Sequence, residues 1–283
     1  MTELQGEKIV VIGGTSALGK QFLKAARSQG ADCAVLGRHA PSSDDKVPFF
    51  RADITSLVEL TAAANQAVAA FGGIDTVINF AGTHHQPMDF YKEDHSELLR
   101  EYQRVMDVNL TGAFLATMVF GKHMIARRHG HIVHLCSNAS RLSLYGSYAY
   151  NMSKHALEGL IKTAAAQLAH FGVRVNGVAP GTVETPLNRN LLRLGPEGSY
   201  SPRAASILAH TPTKRFASVE GVAETLCAVC IPQRHLTGNV IFCDDGYNVE
   251  GHSWPEGTAA LYAGPDKLAD LFSSLGPEYP NEN

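Results

Sequence analysis

The sequence of 283 residues contains no apolar run approaching the ~18 residues that span a bilayer, so no membrane helix is expected. It is also poor in charge. Asp, Glu, Lys and Arg make up 18%, the formal net charge is −3, and there is no basic excess to neutralise phosphates; a nucleic-acid partner is not expected. Cysteine is sparse and odd in number, five in all, which argues against a disulfide framework and for a reducing, cytoplasmic compartment. The first residues, MTELQGEKIVVIGG, begin acidic and carry only a short apolar run, so no secretory signal is expected there. Internal repeats, low-complexity tracts and Pro/Gly/Ser-rich linkers are missing. What remains is 45% hydrophobic, the balance of a folded globular chain.

Strand-length apolar runs alternate with longer helical stretches. The strands are expected at 8–12, 32–36, 47–50, 75–79, 131–136, 174–178 and 240–243, and the main helices at 18–29, 56–71, 103–127, 149–171 and 219–230. Such alternation implies right-handed crossovers and a parallel sheet covered by helices on both faces, the α/β doubly wound class with about seven strands. A single domain over 1–248 is the expected organisation, followed by a C-terminal extension at 249–283. The segment 187–215, broken by Gly195-Pro196, Gly198 and Pro202, reads as a substrate-binding loop or lid.

Two motifs carry chemistry. The first expected strand runs into Gly13-Gly14-Thr15-Ser16-Ala17-Leu18-Gly19, and a helix follows. Glycines at that turn let the backbone approach a pyrophosphate, and the helix N-terminus offers amides and partial positive charge. At the end of the second strand, where an acidic side chain would bind a ribose 2′-hydroxyl, stand Gly37 and Arg38. A guanidinium there suits a 2′-phosphate, so NADP(H) is expected, with NAD(H) as the alternative. The second motif is Tyr150-Asn151-Met152-Ser153-Lys154 at the start of a helix. The i, i+4 spacing sets a phenol beside an ammonium, which favours phenolate and suits the phenol to trade a proton with an alcohol or alkoxide.

Together these residues resemble the short-chain dehydrogenase/reductase family over about residues 6–248. The glycine loop is similar to TGxxxGxG, and Tyr150 and Lys154 fit YxxxK. Ser137, thirteen residues before Tyr150 in HIVHLCS, resembles the catalytic serine, and Asn109 in VMDVNLTGAF the helix asparagine of the tetrad. Asp53 in RADIT, Asn79-Phe80-Ala81-Gly82 and Pro180-Gly181-Thr182-Val183-Glu184-Thr185 match three further family motifs. The resemblance implies a Rossmann-like fold, with Tyr150 as acid/base and Lys154 on the nicotinamide ribose. It implies Ser137 on the substrate oxygen and Asn109 anchoring a water that reaches Lys154. It also implies a cofactor surface made of Gly13, Thr15, Ser16, Ala17, Leu18, Gly19, Arg38, Asp53, Ile54, Asn79, Ala81, Gly82, Tyr150, Lys154, Pro180, Gly181, Val183 and Thr185. A homodimer or homotetramer is implied as well. The chain departs from the family pattern at Ile12, Ala17, Phe80 and Asp245.

Each of these residues also has a plain structural use: Ser137 can cap the following turn, Asp53 can open a helix with Thr55 and Ser56, and Asn109 can satisfy local backbone. Cys227 and Cys230 form a CxxC pair without a second ligand set and read as buried packing. His131 and His134 lie on a strand without ligand spacing, and no metal is expected. Substrate contacts are expected from His84, Asn138, Tyr145 and Leu187. Polar and apolar residues mix along 81–90, 138–148 and 183–215, which suits a polar ketone or secondary alcohol: a polyol, a sugar derivative or a natural-product ketone. The expected activity is hydride transfer between NADP(H) and such a substrate. A non-catalytic dinucleotide-sensing protein and an NAD-dependent alcohol dehydrogenase of the same family are the alternatives. Ser147 stands where an enoyl reductase would carry tyrosine, which counts against that reaction.

Overall fold

The computed structural model describes residues 3–42, 46–85, 87–89, 91, 94–144, 146–186, 188–194, 198–232 and 235–249. Of the expected site residues, Tyr145 and Leu187 lie outside these, as does almost all of the 249–283 extension.

The elements follow in the order β1 (Lys8–Ile12), α1 (Ala17–Ser28), β2 (Asp32–Gly37), β3 (Phe49–Arg51), α2 (Leu57–Phe71), β4 (Thr76–Asn79) and α3 (His95–Met106). Then come a π-helical turn (Asp107–Thr111), α4 (Gly112–Arg127), β5 (Gly130–Leu135), α5 (Tyr148–Leu168), β6 (Val173–Pro180), α6 (Arg189–Leu192), α7 (Pro202–Ala209), α8 (Val219–Cys230) and β7 (Val240–Cys243). The seven strands form one sheet in the order β3-β2-β1-β4-β5-β6-β7, and every pairing is parallel. The expected Rossmann-like α/β sheet is therefore present.

Alternation of side chains along the strands divides the core in two. Val10, Ile12, Leu36, Val77, Ile132 and Val175 face the side covered by α2, α4 and α5. Ile9, Val11, Val35, Ile78, Val133 and Val178 face the side covered by α1 and α8. Ala164 and Ala165, a small-residue pair on α5, belong to the first of these cores. Cys227 and Cys230 lie fully buried in the second, so the CxxC pair is packing. Burial pushes the Cys33, Cys136 and Cys227 thiols up to about 12, which leaves them inert at neutral pH.

The strand order reverses between β1 and β4, where β1 pairs with β2 on one side and β4 on the other. Loops leaving the carboxyl ends of strands at such a switch point enclose a crevice, and this is where open α/β sheets bind ligands.

The helix expected at 103–127 proves longer and interrupted. It starts at His95, where the Asp94 side chain accepts from the Ser96 and Glu97 amides, and it is broken by the π turn before continuing as α4. No helix among the described residues is long and apolar enough to cross a membrane.

The backbone divides into two compact units, Met1–Val183 with Ala217–Cys243, and Glu184–Phe216 with Asp244–Asn283. The second holds most of the expected lid segment. In it, Ser201 caps α7 by accepting from the Ala204 amide, and Pro202 opens the helix. Arg193 binds Glu184 at 2.7 Å and lies over the Tyr200 ring at 4.2 Å.

Candidate active site

Gly13 follows β1 with φ +73°, a conformation open to glycine. A Cβ there would sit 3.0 Å from the Ala81 amide nitrogen, so the loop after β1 runs against the loop after β4. Gly19 is equally tight: a Cβ would lie 2.7 Å from the Gly13 carbonyl oxygen, so α1 can approach its own loop only without a side chain. Ser16 caps α1 by accepting from the Gly19 amide at 3.1 Å. The Ala17 and Leu18 amides precede the first amide that donates along the helix, that of Lys20 to the Ser16 carbonyl at 2.8 Å, and so remain available as an anion site needs. Ala17, the departure from the usual glycine, is exposed, so its methyl strains no packing. A Cβ added at Gly37 would meet nothing closer than the Gly13 amide nitrogen at 3.9 Å, so open space adjoins the loop at the end of β2. Glycine turn, helix N-terminus and open space together fit a dinucleotide.

Arg38 is exposed at the end of β2. Asp53 accepts from the Thr55 amide at 2.9 Å and the Thr55 hydroxyl at 2.8 Å. These bonds hold its carboxyl below the usual range, with a smaller contribution from the nearby Arg38 cation. The helix-opening use of Asp53 is thus realised, although Ser56 is the capping residue of α2. The Ile54 side chain packs against Gly112 in the core, which leaves its backbone for ligand contact.

Asn79 ends β4 and is buried. Its Oδ1 accepts from the Ala81 amide at 2.9 Å and shapes the turn through Gly82. Its Nδ2 faces His134 Nδ1 at 3.5 Å, across the β4–β5 register that pairs the two residues. The His134 tautomer follows from the network. Thr117 gives its proton to the Ala113 carbonyl at 2.8 Å, so it accepts from His134 Nε2 at 2.9 Å, and Nδ1 is left as the acceptor for Asn79. Burial, helped by the Lys154 charge, pushes His134 down to about 3, so it stays neutral. His134 thus fixes the asparagine that shapes the cofactor-side turn, a role its place in the sequence did not reveal.

Asn109 lies in the π turn, buried. Its Oδ1 accepts from the Thr83 amide at 2.7 Å, and its Nδ2 donates to the Thr83 carbonyl at 3.0 Å and to Ser153 Oγ at 3.0 Å. Ser153 Oγ in turn donates to the Tyr150 carbonyl at 2.8 Å. The asparagine therefore ties the loop after β4 to the first turn of α5.

Tyr150 and Lys154 share one face of α5, with Lys154 Nζ 5.6 Å from the centre of the Tyr150 ring. Lys154 is 4% exposed and donates to the Leu135 carbonyl at 2.7 Å. A Cβ at Gly82 would lie 3.6 Å from Asn109 Oδ1 and 4.0 Å from Lys154 Nζ, which puts Gly82, Asn109 and Lys154 together. Ser137, just past β5, accepts from the Ala139 amide at 3.1 Å and donates to Asn138 Oδ1 at 3.1 Å. It caps a short 3-10 turn. Asn138 is buried. The His84 ring lies 4.5 Å from that of Tyr150, centre to centre.

Pro180 ends β6 and Gly181 follows it, donating to the Cys243 carbonyl at 3.2 Å; Val183 is buried. Thr185 belongs to the second unit, where its amide donates to Asn188 Oδ1 at 2.9 Å. Among the described residues no group of three or more His, Cys, Asp or Glu side chains could hold a metal ion.

A family model of the short chain dehydrogenases matches residues 7–193. Momilactone A synthase of Oryza sativa subsp. japonica is 31% identical over 264 residues, which is 89% of this chain and 93% of that protein. The mitochondrial borneol dehydrogenase of Lavandula x intermedia is 28% identical over 88% of this chain and 93% of its own. Among solved structures, the ligand-free aldohexose dehydrogenase of Thermoplasma acidophilum superposes with a TM-score of 0.78 at 26% identity, covering 90% of this chain and 99% of that one. Proteins of this kind are oxidoreductases that use nicotinamide dinucleotides on alcohols and carbonyls. With its sheet, its glycine loop and its family match over most of its length, the chain belongs to the short-chain dehydrogenase/reductase family.

Proposed function

We propose that this chain is an NADP(H)-dependent oxidoreductase interconverting a polar ketone and its secondary alcohol, with Asn109, Ser137, Tyr150 and Lys154 as its working residues. The observation that carries this reading is the buried Lys154 ammonium 5.6 Å from the Tyr150 ring, in a helix turn tied to Asn109 through Ser153. The dinucleotide, held along Gly13–Gly19 and the loops after β2, β3, β4 and β6, supplies the hydride. The chain manages the charge that arrives with it.

As negative charge grows on the carbonyl oxygen, Tyr150 delivers a proton and Lys154 favours the phenolate left behind. An ammonium has three donors and the Leu135 carbonyl takes one, which leaves two directions for a ribose hydroxyl and a water toward Asn109. Ser137 Oγ is held by the Ala139 amide, while its own proton, now on Asn138, can swing to a substrate oxygen. In oxidation the same groups run in reverse.

Arg38, exposed beside open space at Gly37, supports the choice of NADP(H). The polar His84 ring beside Tyr150 and the buried Asn138 support a substrate with polar substituents. The relatives named for borneol and for aldohexoses bracket apolar and polar alcohols. Phe114 and Met118, exposed on α4, suit a homo-oligomer, and the buried thiols suit a cytoplasmic protein.

Tyr150→Phe tests the reading. It is expected to bind NADPH within about twofold of the native affinity and to lose carbonyl reduction by roughly 10²–10⁴-fold, the range of positioned proton transfer. A variant with near-native turnover contradicts the acid/base role. A native protein that binds NADPH but reduces no carbonyl in a broad panel supports the dinucleotide sensor instead.

A further inference from the structure

The four catalytic positions leave one neighbouring group unexplained. Arg104 stands on the last turn of α3, and its side chain is 43% exposed. It nevertheless makes four directed bonds. Nη1 donates to Thr83 Oγ1 at 2.8 Å, Nη2 donates to the His84 carbonyl at 2.8 Å, and Nε and Nη2 donate to Glu101 Oε2 at 3.1 and 2.8 Å. Glu101, one turn back, fixes the guanidinium plane, and the fork on the other side spans two successive residues of the loop after β4. A planar guanidinium suits such a two-point grip, and an ammonium does not.

Thr83 is thereby held through every polar group it has: its amide and carbonyl by Asn109, its hydroxyl by Arg104. The two gripping residues are five positions apart. In an unbroken α-helix five residues turn through about 500°, which would put them about 140° apart. The π turn at Asp107–Thr111 takes up one extra residue and swings Asn109 back toward the face of Arg104, close to the relation of i, i+4 neighbours. The interruption of the helix and the convergence on Thr83 are one feature. The next residue, His84, donates through Nδ1 to the His85 carbonyl and rests its ring 4.5 Å from that of Tyr150.

We propose that Arg104 is a positioning residue, which by holding Thr83 and the His84 carbonyl keeps the His84 ring against Tyr150 and so holds the phenol in line for proton transfer. The proposal rests on the reading of Tyr150 as acid/base. It assigns Arg104 no contact with substrate or cofactor.

The experiment compares native protein with Arg104→Met, Arg104→Lys, His84→Ala and the Arg104→Met/His84→Ala double variant. Turnover of a ketone, NADPH affinity, thermal stability and the nuclear Overhauser contact between the His84 and Tyr150 rings are all measured. Arg104→Met is expected to lose roughly ten- to a hundredfold in kcat, as a small misplacement of a reacting group does. NADPH affinity should stay within twofold, and the ring contact should weaken. Arg104→Lys should recover only a minor part, free guanidinium ion should restore turnover to Arg104→Met, and the double variant should be no slower than His84→Ala. Near-native kcat and an intact ring contact in Arg104→Met would overturn the proposal, as would additive losses in the double variant. If the native protein reduces no ketone at all, the acid/base reading fails. The ring contact then decides by itself whether Arg104 holds the loop: retention of the contact in Arg104→Met overturns the proposal, and its loss supports the grip.

Discussion

The two ends of the crevice are built differently. At the proposed catalytic end, Asn109 with Ser153 and Asn79 with His134 are buried hydrogen-bonded pairs, and the buried Lys154 donates to the Leu135 carbonyl. At the end beside β2 and β3, Arg38 is exposed, and Asp53 spends its hydrogen bonds on its own turn. Removing one member of a buried network leaves its partners unsatisfied, at about 1–3 kcal/mol each. An exposed cation has no such dependants. The contrast teaches that the residues proposed for the chemistry are locked in by structure, whereas the proposed choice between two dinucleotides rests on one exposed side chain.

Four measurements would break or sharpen that contrast. Lys154→Met, at the centre of the buried end, is expected to lose roughly 10²–10⁴-fold in kcat, because the phenolate loses its cation; rates above one tenth of native would place proton control elsewhere.

Acid should unpick His134, at that end of β5, and His131, near the opposite end of the same strand. Burial holds His131 well below its ordinary value and His134 at about 3, against 6.5 for the free side chain. The folded chain keeps both neutral, while the unfolded chain takes up a proton at each below about pH 6.5. Stability is therefore complete above that pH and declines toward pH 3. The slope is about 1.4 kcal/mol per pH unit for each histidine, read by denaturant titration. His134→Gln should remove one of the two protons from that slope; an unchanged slope would show that His134 charges in the fold.

Asn109→Ala strips Thr83 of two partners and Ser153 of one. A stability loss of about 1–3 kcal/mol is expected, together with slower turnover. A variant as stable as native would mean that the loop is held without it.

The smallest effect belongs to the exposed end. Arg38→Ser should weaken NADPH binding by about tenfold, leave NADH binding nearly unchanged and cost little stability, as one exposed charge contact allows. Native protein that prefers NADH would reverse the cofactor assignment.

The sequence made much of this legible where the signal is local. Val/Ile-rich runs, the glycine turn and the Tyr150–Lys154 spacing each declare themselves within a few residues, and a strand forms at each of the seven expected places along the chain. Boundaries slipped where caps decide them. Asp94 starts α3 well before the expected helix, and the Ser201-Pro202 pair, a helix-opening signal, marks α7 inside a stretch read as irregular. His134 and Arg104 were illegible for another reason. Their partners, Asn79 and Thr83, become neighbours only through strand register and the packing of α3 on the loop after β4, neither of which leaves a periodic trace. Ser137 and Asp53 illustrate a third case: each occupies the motif position and also serves its local turn, so the plain use and the chemical one coexist.

The most direct measurement follows the hydride. NADPH carrying deuterium at both C4 positions of its nicotinamide ring, incubated with a hydroxylated ketone, should give native product labelled at the new carbinol carbon. Tyr150→Phe should bind the same cofactor and yield almost no labelled alcohol. Unlabelled alcohol from the native protein, or labelled alcohol formed at the native rate by the variant, would contradict the account.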